Sequence, residues 1–584
     1  MGETRPRLFE ASWEVCNKVG GIHTVITSKL SQAQTEFGDG YFTVGPYLSN
    51  SHEAFDEVPA PPFISTLAAE LANEGIAAHY GIWKPYGQPT LLLDYNGLFP
   101  RLNEYKDRYW DKFELNTLGS DYNDFDQPFA WGIAVGRLAC LAAAQEKREL
   151  ILHAHEWLTA SAILEIKAES DDKLIRTVFT THATVLGRCI SSSGADLYGS
   201  LKKWIPEEEA VNRGVVSKHQ LERLGATLAT SFTAVSRLTA EEATALLGHK
   251  PDVVTENGLD LDLFPTFDEL SHSRIHVRHS IEEFLAAYFF PSDPFDLNKT
   301  SLQFTMGRPE TANKGYDLHL EALGVLNEQL KQEKSEHTVV SFFLVPIGCE
   351  RLRPAAASQL NLYRRVQERL VHIAKRQTRL TYQELCAGQI PSLTLQSAEQ
   401  AELMEDIHHM PLQVPPPASP YELRDENQDD ILRLANQHGL HNRAEDRVKV
   451  LYFPLYLDGF DGIFDLPLYD LIAAFDLGVF ASKYEPWGYT PMESLAVAVP
   501  AITSTLAGFG RSLSESNQTP PSGVFILDRE KDEEDAISLL VRVFKTSLEE
   551  SPREWTERRI SAYQTVQLYS WQHLYQNYRE AYNR

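Results

Sequence analysis

Cysteine is scarce: Cys16, Cys140, Cys189, Cys349 and Cys386 are the only five in 584 residues. Their number is odd and they form no C-x-x-C or Cys/His cluster, which argues against a disulfide framework and a zinc site. A reducing cytoplasm is the expected compartment. Long apolar runs are missing too. The most apolar helical stretch, Ile133 to Ala144, is interrupted by Arg137 and falls short of the roughly 20 residues that span a bilayer. Met1 to Val15 shows no apolar core behind basic residues, and Pro6 stands where a myristoylation motif wants Ser or Thr, so no export or lipid signal is visible. Positive charge is in deficit, with 54 basic against 81 acidic residues and a net charge of −27. That balance repels nucleic acid and anionic membranes, leaving a neutral partner or a small anion held locally. Neither a G-x-G-x-x-G fingerprint nor a G-x-x-x-x-G-K-[ST] loop occurs, so a nicotinamide enzyme or an ATPase is poorly supported.

What is present is a repeating unit: a short apolar run, a loop with Gly, His or Asn, then a helical pattern. Leu8 to Ala11, Leu150 to Ala154, Ile175 to Thr181, Phe232 to Val235, Val253-Val254, Phe304-Thr305, Phe342 to Val345, Leu477 to Ala481 and Ala501 to Thr503 read as its strands. The alternation implies an α/β protein with two doubly wound parallel sheets. A new series opens after Tyr288-Phe289-Phe290 and Pro291, which places a boundary near residue 299 and a first domain at 1–298. Arg351 to His408 is a helical interruption followed by the stiff connector Pro411 to Pro420, together a helical insertion of about 351–440. This insertion either packs on its own domain or mediates contacts between copies.

In open parallel sheets ligands sit beyond the carboxyl ends of strands, so chemistry should concentrate in those loops. The richest is Lys483-Tyr-Glu-Pro-Trp-Gly-Tyr-Thr490. Thr490, Pro491 and Glu493 have the spacing of a capping box, with Thr at N-cap and Glu at N3, which gives Glu493 a sufficient structural role. Glu485 has no such role; Pro486 and Gly488 stiffen its surroundings. The loop Met306 to Gly315 carries Arg308 and Lys314, a fork and a point charge suited to a diphosphate. Asn17-Lys18-Val19-Gly20-Gly21 follows the first strand, and its glycines allow a ligand close to the backbone at the start of a helix. His155 and His182 follow two strands of one sheet and would converge on one cleft. A histidine metal pair lacks completing ligands at any recognisable spacing. Asp124-Phe-Asp126 and Asp260-Leu-Asp262 prompt a competing reading, a metal-dependent sugar transferase of the other common fold, with about the frequency chance gives in so acidic a chain.

Together these segments closely resemble the glycogen synthases of the animal and fungal type. The carriers are Trp13 to Ile22, Gly38 to Tyr47, His155-Glu-Trp-Leu158, Phe179 to Thr184 with Gly187-Arg188, Asn257-Gly-Leu259, Gly307-Arg308 with Asn313-Lys-Gly315, Tyr484 to Pro491 and Ala507 to Gly510. The resemblance implies a GT-B fold, in which two Rossmann-like domains face a central cleft. The second, nucleotide-sugar-binding domain would be 299–561, and the last helix, 562–584, would rejoin the first, acceptor-side domain. It implies a retaining transfer of glucose from UDP-glucose to the 4-hydroxyl at the non-reducing end of an α-1,4-glucan, with no metal and no other cofactor. ADP-glucose use, or an inactive glycogen-binding scaffold, are the alternatives. Arg308, Lys314 and Arg188 would hold the phosphates, Glu485 would face the reacting glucose, and Glu493 would lie near the ribose or the sugar. His155 would bind the donor glucose, and the loop with Lys18, Gly20 and Gly21 would close over it. His182, Asn257, Trp487, Gly488, Tyr489 and Thr490 would complete the binding site, and Tyr469 falls near the family's uracil-stacking tyrosine. Relatives build tetramers from the inserted helices, so a homo-oligomer is expected. The family's arginine-dense effector helix is reduced here to Arg553, Arg558 and Arg559, and tails carrying the family's phosphorylation sites are not expected. The expectation is a synthase active without glucose 6-phosphate.

Overall fold

Runs such as Arg7 to Ala11 and Thr338 to Leu344 are buried at every residue, the pattern of strands covered by helices on both faces. The computed structural model, which describes residues 5–169, 174–390, 397–408, 415–516 and 523–584, gathers them into two large sheets. The first runs Phe55–Glu57, Ala77–Trp83, Gln88–Asp94, Tyr41–Pro46, Arg7–Ala11, Leu150–His155, Ile175–Thr181, Ser231–Ala234, Val253–Val254 in spatial order. The second runs Val448–Phe453, Thr338–Leu344, Thr300–Met306, Leu477–Val479, Ala501–Ser504, Val524–Leu527. The second sheet is parallel throughout. Strand order reverses between Arg7–Ala11 and Leu150–His155, and again between Thr300–Met306 and Leu477–Val479. Such switch points open a crevice at the carboxyl ends.

The first sheet departs from the all-parallel expectation at one edge. Ala77–Trp83 runs antiparallel to both Phe55–Glu57 and Gln88–Asp94, and most of its residues are only partly covered. An edge strand without a helix on each face tolerates this pairing. This edge, Tyr41–Pro46, Val448–Phe453 and Val524–Leu527 have no counterpart in the strand series read from the sequence. Short apolar runs look alike in buried strands and buried helices.

The boundary near 299 needs correction in terms of packing. Helix Phe267–Phe289 buries Leu270, Val277, Ile281, Phe284 and Tyr288 in one core with Leu302, Phe304, Phe342 and Leu451 of the second sheet. Arg274 and Arg278 on this helix both pair with Asp476, which precedes strand Leu477–Val479. The far end of the chain needs a similar shift. Ala562 and Val566, on helix Pro552–Gln567, pack in the second core, and the return to the first domain begins at helix Trp571–Asn583. There Trp571, Tyr575, Tyr578 and Tyr582 pack against Val25 and Ile26 of helix Gly21–Phe37. Trp571 Nε1 donates to Ser28 Oγ at 2.7 Å.

The insertion contains helix Pro354–Cys386, which packs against helix Ser397–His408. Its expected extent to 440 is too long. Helix Asp430–Gln437 buries Ile431 and Ala435 in one cluster with Val339, Phe343 and Val450 of the second sheet, and Tyr421–Glu422 pairs antiparallel with Arg351–Leu352. Residues 411–414 of the proline-rich connector lie outside the described residues, and 415–420 are non-helical. Among the described residues no helix is long and apolar enough to cross a membrane.

Candidate active site

In the second domain two loops meet at the switch point. Gly315 has φ 71°, and a Cβ there would lie 2.0 Å from the Ala481 carbonyl oxygen, so only glycine lets this chain segment touch the end of the neighbouring strand. That contact delivers Lys314 to the Glu485 loop, and its Nζ pairs with Glu485 Oε2. Glu485 is held by its backbone on both sides: its N–H donates to Leu506 O at 3.2 Å, and its carbonyl accepts from Gly508 at 2.9 Å. It is a fixed group rather than a solvated loop acid. Arg308, more than half exposed, pairs with Glu310 at 2.9 Å.

The capping box at Thr490 is not formed. Gly488, at φ 108°, turns the chain into helix Tyr489–Ala496 early, so Thr490 lies inside the first turn and no side chain caps it. Glu493 instead accepts from Tyr469 Oη at 2.8 Å. Burial pushes the Glu493 carboxyl up, against that hydrogen bond and the positive fields of Lys18 and Lys314, so these three charged groups from both domains share one neighbourhood. Trp487 is 3% exposed, with its ring packed against those of Phe509 and Tyr569, so it supports the loop and offers no face to a ligand. Tyr489 packs against the first-domain cluster that includes Val25 and Trp571.

In the first domain the histidines do converge, with a correction to their roles. His155 is 1% exposed; its Nε2 lies 2.8 Å from Glu10 Oε1 and its Nδ1 2.9 Å from His182 Nε2. A carboxylate only accepts, so His155 donates from Nε2 and accepts at Nδ1 from His182. With both ring nitrogens used, His155 cannot bind the donor glucose directly; it orients His182, the more exposed of the two at 7%. Glu10 also accepts from Tyr41 Oη at 2.6 Å and pairs with Lys29. Burial alone would raise the Glu10 carboxyl, but the Lys29 ammonium and the His155 hydrogen bond hold it well below the usual range. Burial pushes all three histidines, 153, 155 and 182, down, so they are neutral. Glu10, His153 and His155 bring ligand-type atoms within 4.8 Å of one another, and the cation on that carboxylate is the Lys29 ammonium. His153 Nδ1 reaches Tyr582 Oη at 3.0 Å on the returning helix.

Buried acids also hold the loop around His182. Glu242 accepts from the Thr184 backbone at 2.9 Å, and Glu222 from the Val185 backbone at 2.8 Å. Burial pushes Glu222 up to about 8. Helix Val185–Ser192 then presents Arg188, half exposed and 3.7 Å from Glu156. The start of helix Gly21–Phe37 is not the open anion seat its glycines suggest, because Glu14 Oε2 already accepts from Gly20 and His23 at 2.8 and 2.9 Å. Gly21 itself has open space beside it, and Lys18 is exposed. Burial raises Glu14, opposed by the fields of Arg188 and Arg308 from the two domains. Asn257 is buried where Leu259 exchanges backbone hydrogen bonds with Tyr569 and Trp571, so it sits at the chain crossing rather than in the open cleft. The two Asp-x-Asp triplets are occupied locally: Asp124 pairs with Lys218, Asp126 with Lys106 at 2.7 Å, and Asp260 accepts from the Asp262 backbone.

Glu10, Lys29, Glu14, Glu222 and Glu242 were not legible as site groups in the motifs. One signal does exist for the first two, since an acid inside the apolar run Leu8 to Ala11 and a lysine on a helix's buried face are rare unless paired.

Two wound sheets with Lys18 and Arg188 on one side of a cleft and Arg308, Lys314 and Glu485 on the other define a glycosyltransferase of the GT-B class. A family model described as glycogen synthase matches residues 10–584. The chain belongs to the glycogen synthase family. It is 31% identical over 582 residues to liver glycogen [starch] synthase of Rattus norvegicus, covering 98% of this chain and 82% of that one. Identity to glycogen [starch] synthase of Neurospora crassa is 30% over 595 residues, covering 98% of this chain and 83% of that one. Among solved structures, the catalytic domain of starch synthase IV from Arabidopsis thaliana, bound to ADP and acarbose, shares the fold: TM-score 0.51, 14% identity, covering 100% of this chain and 99% of that one.

Proposed function

We propose that the protein moves glucose from UDP-glucose to the 4-hydroxyl at the non-reducing end of glycogen or another α-1,4-glucan, with retention of the α configuration. The Lys314–Glu485 pair at the second switch point carries this reading, because it sets a phosphate-seeking cation beside a fixed carboxylate. Arg308 and Lys314 would take the donor diphosphate, with Arg188 adding charge across the cleft. As the bond from C1 to the phosphate oxygen breaks, its electron pair leaves with UDP, and cations already in place stabilise that charge without reorganising. The acceptor hydroxyl's proton passes to the departing phosphate. Glu485 would stabilise the positive charge that develops on the sugar ring, while Glu493 and Tyr469 lie on the ribose side. The Lys18 loop closing over the donor would exclude water that otherwise hydrolyses it.

The choice of UDP-glucose rests on the wording of the His-Glu-Trp, Thr-His-Ala-Thr and Glu-Pro-Trp-Gly-Tyr-Thr-Pro segments. Side chains answer the diphosphate charge, so no metal is assigned to the reaction. Helix Pro354–Cys386 exposes Leu370, Val371, Leu380, Tyr382 and Leu385, a surface that suits contacts between copies in a homo-oligomer, up to a tetramer. Five free cysteines suit a reducing cytoplasm. The test is incubation of purified protein with glycogen and either UDP-glucose or ADP-glucose in EDTA, with released nucleotide measured. Release of UDP with glucose incorporation is expected; turnover confined to ADP-glucose, or lost in EDTA, would refute the donor or the metal assignment.

A further inference from the structure

Glu242 lies on helix Arg237–Leu246 of the first domain, and the transfer chemistry gives it no part. Its side chain is 0% exposed and collects hydrogen bonds from three segments. Thr184 donates from N at 2.9 Å and from Oγ1 at 2.7 Å, Tyr198 Oη donates at 3.0 Å, and Tyr484 Oη donates at 3.3 Å. Thr184 is the N-cap of the helix that carries Arg188. Tyr484 belongs to the other domain and immediately precedes Glu485. The approach requires Gly187, where a Cβ would lie 2.2 Å from Glu242 Oε1.

A second link runs from the same helix. Ser191 Oγ donates to Asn313 Oδ1 at 2.8 Å, and the Asn313 carbonyl accepts from the backbone of Lys483 and Tyr484 at 2.8 and 3.2 Å. Lys314, next in the chain, pairs with Glu485. A closed circuit therefore crosses the cleft twice: from the Arg188 helix through Ser191, Asn313, Lys314 and Glu485, and back through Tyr484, Glu242 and Thr184. Separating the domains would break the Ser191 and Tyr484 contacts and leave Glu242 its Thr184 and Tyr198 donors. The carboxylate is thus never stranded, and the latch can release.

We propose that Glu242 is a positioning residue that registers domain closure, holding Glu485 in line with Arg188 through Tyr484. The inference rests on the reading of that cleft as the transfer site. A hydrogen bond to a charged acceptor biases an equilibrium by roughly ten- to a hundred-fold, and the long Tyr484 contact belongs at the low end.

The experiment compares wild type, Tyr484→Phe, Glu242→Gln and the double variant. Steady-state rates are measured with the donor that the wild type uses, UDP affinity by calorimetry, and domain spacing by solution scattering. Tyr484→Phe, which keeps every other Glu242 partner, should lower kcat about tenfold, leave UDP affinity within threefold, and enlarge the radius of gyration. Glu242→Gln should do the same, and the double variant should be no worse than the poorer single one. A Tyr484→Phe variant with kcat within twofold of wild type and unchanged scattering, or losses that multiply in the double variant, would overturn the proposal. If the wild type transfers no glucose, the functional reading fails by itself, and the scattering comparison still decides whether the latch exists.

Discussion

The Lys29 ammonium and the Glu10 carboxylate are buried together at 0% exposure, and neither charge is tolerable there alone. Removing one partner of such a pair costs about 3–5 kcal/mol, much of it the stranded charge. Lys29→Met should therefore lower stability by about that amount, while Glu10→Gln combined with Lys29→Met should lose clearly less than the two single losses added. Calorimetric unfolding of the three variants decides this, and simple additivity would mean that the pair does not act as a unit. His319 gives the pH dependence. Its ring stacks on Phe343, and burial pushes its pKa down to about 3. Below pH about 6.5 the unfolded chain binds a proton that the folded chain refuses, so stability falls with pH at about 1.4 kcal/mol per unit for this group. His319→Leu removes that slope. Its melting temperature should gain on the wild type as pH drops from 7.5 to 5; an unchanged gap between the two proteins across that range would contradict the account.

Among the elements, helix Pro552–Gln567 bears most directly on regulation. Each of its arginines has a neighbour: Arg553 pairs with Glu557 at 2.9 Å on the surface, Arg558 pairs with Glu550, and the buried Arg559 donates to the Ala498 carbonyl at 3.1 Å. Three arginines, one of them in a surface pair and one buried, make a poor seat for a phosphorylated effector, so glucose 6-phosphate should leave the rate within about twofold; a clear rise on adding it would refute this. Such commitments explain which elements could be read in advance. The loops around Glu485, Lys314 and Lys18 announce themselves through nearby Gly and Pro, whose backbone meaning is local. Packing partners are not local. Helix Phe267–Phe289 shows its apolar face in the sequence, but nothing in that face says which sheet covers it. Thr490 and Glu493 match a capping box in spacing, yet the φ of Gly488 starts the helix earlier and sends Glu493 to Tyr469, which lies 24 positions away.

For the whole molecule, a net charge of −27 coexists with a cleft where Lys18, Arg188, Arg308 and Lys314 gather from both domains. Bulk repulsion and local attraction are compatible when the polymer substrate is uncharged and only the donor carries phosphate. The presence of two wound sheets and most of their central strands was legible from periodicity, and the family from the wording of the loops. What ties the halves together was not: Glu242 and Tyr484 are 242 positions apart, and His153 and Tyr582 are 429 apart. A single sequence states spacing, and only folding states convergence. The proposed glucose transfer depends on the carboxylate that Lys314 holds at Glu485. The most direct measurement is glucose incorporation into glycogen by Glu485→Gln, alongside UDP binding and the unfolding profile of the same preparation. Incorporation should fall by at least a hundredfold while UDP affinity and unfolding stay close to wild type. Full activity in that variant would contradict the account.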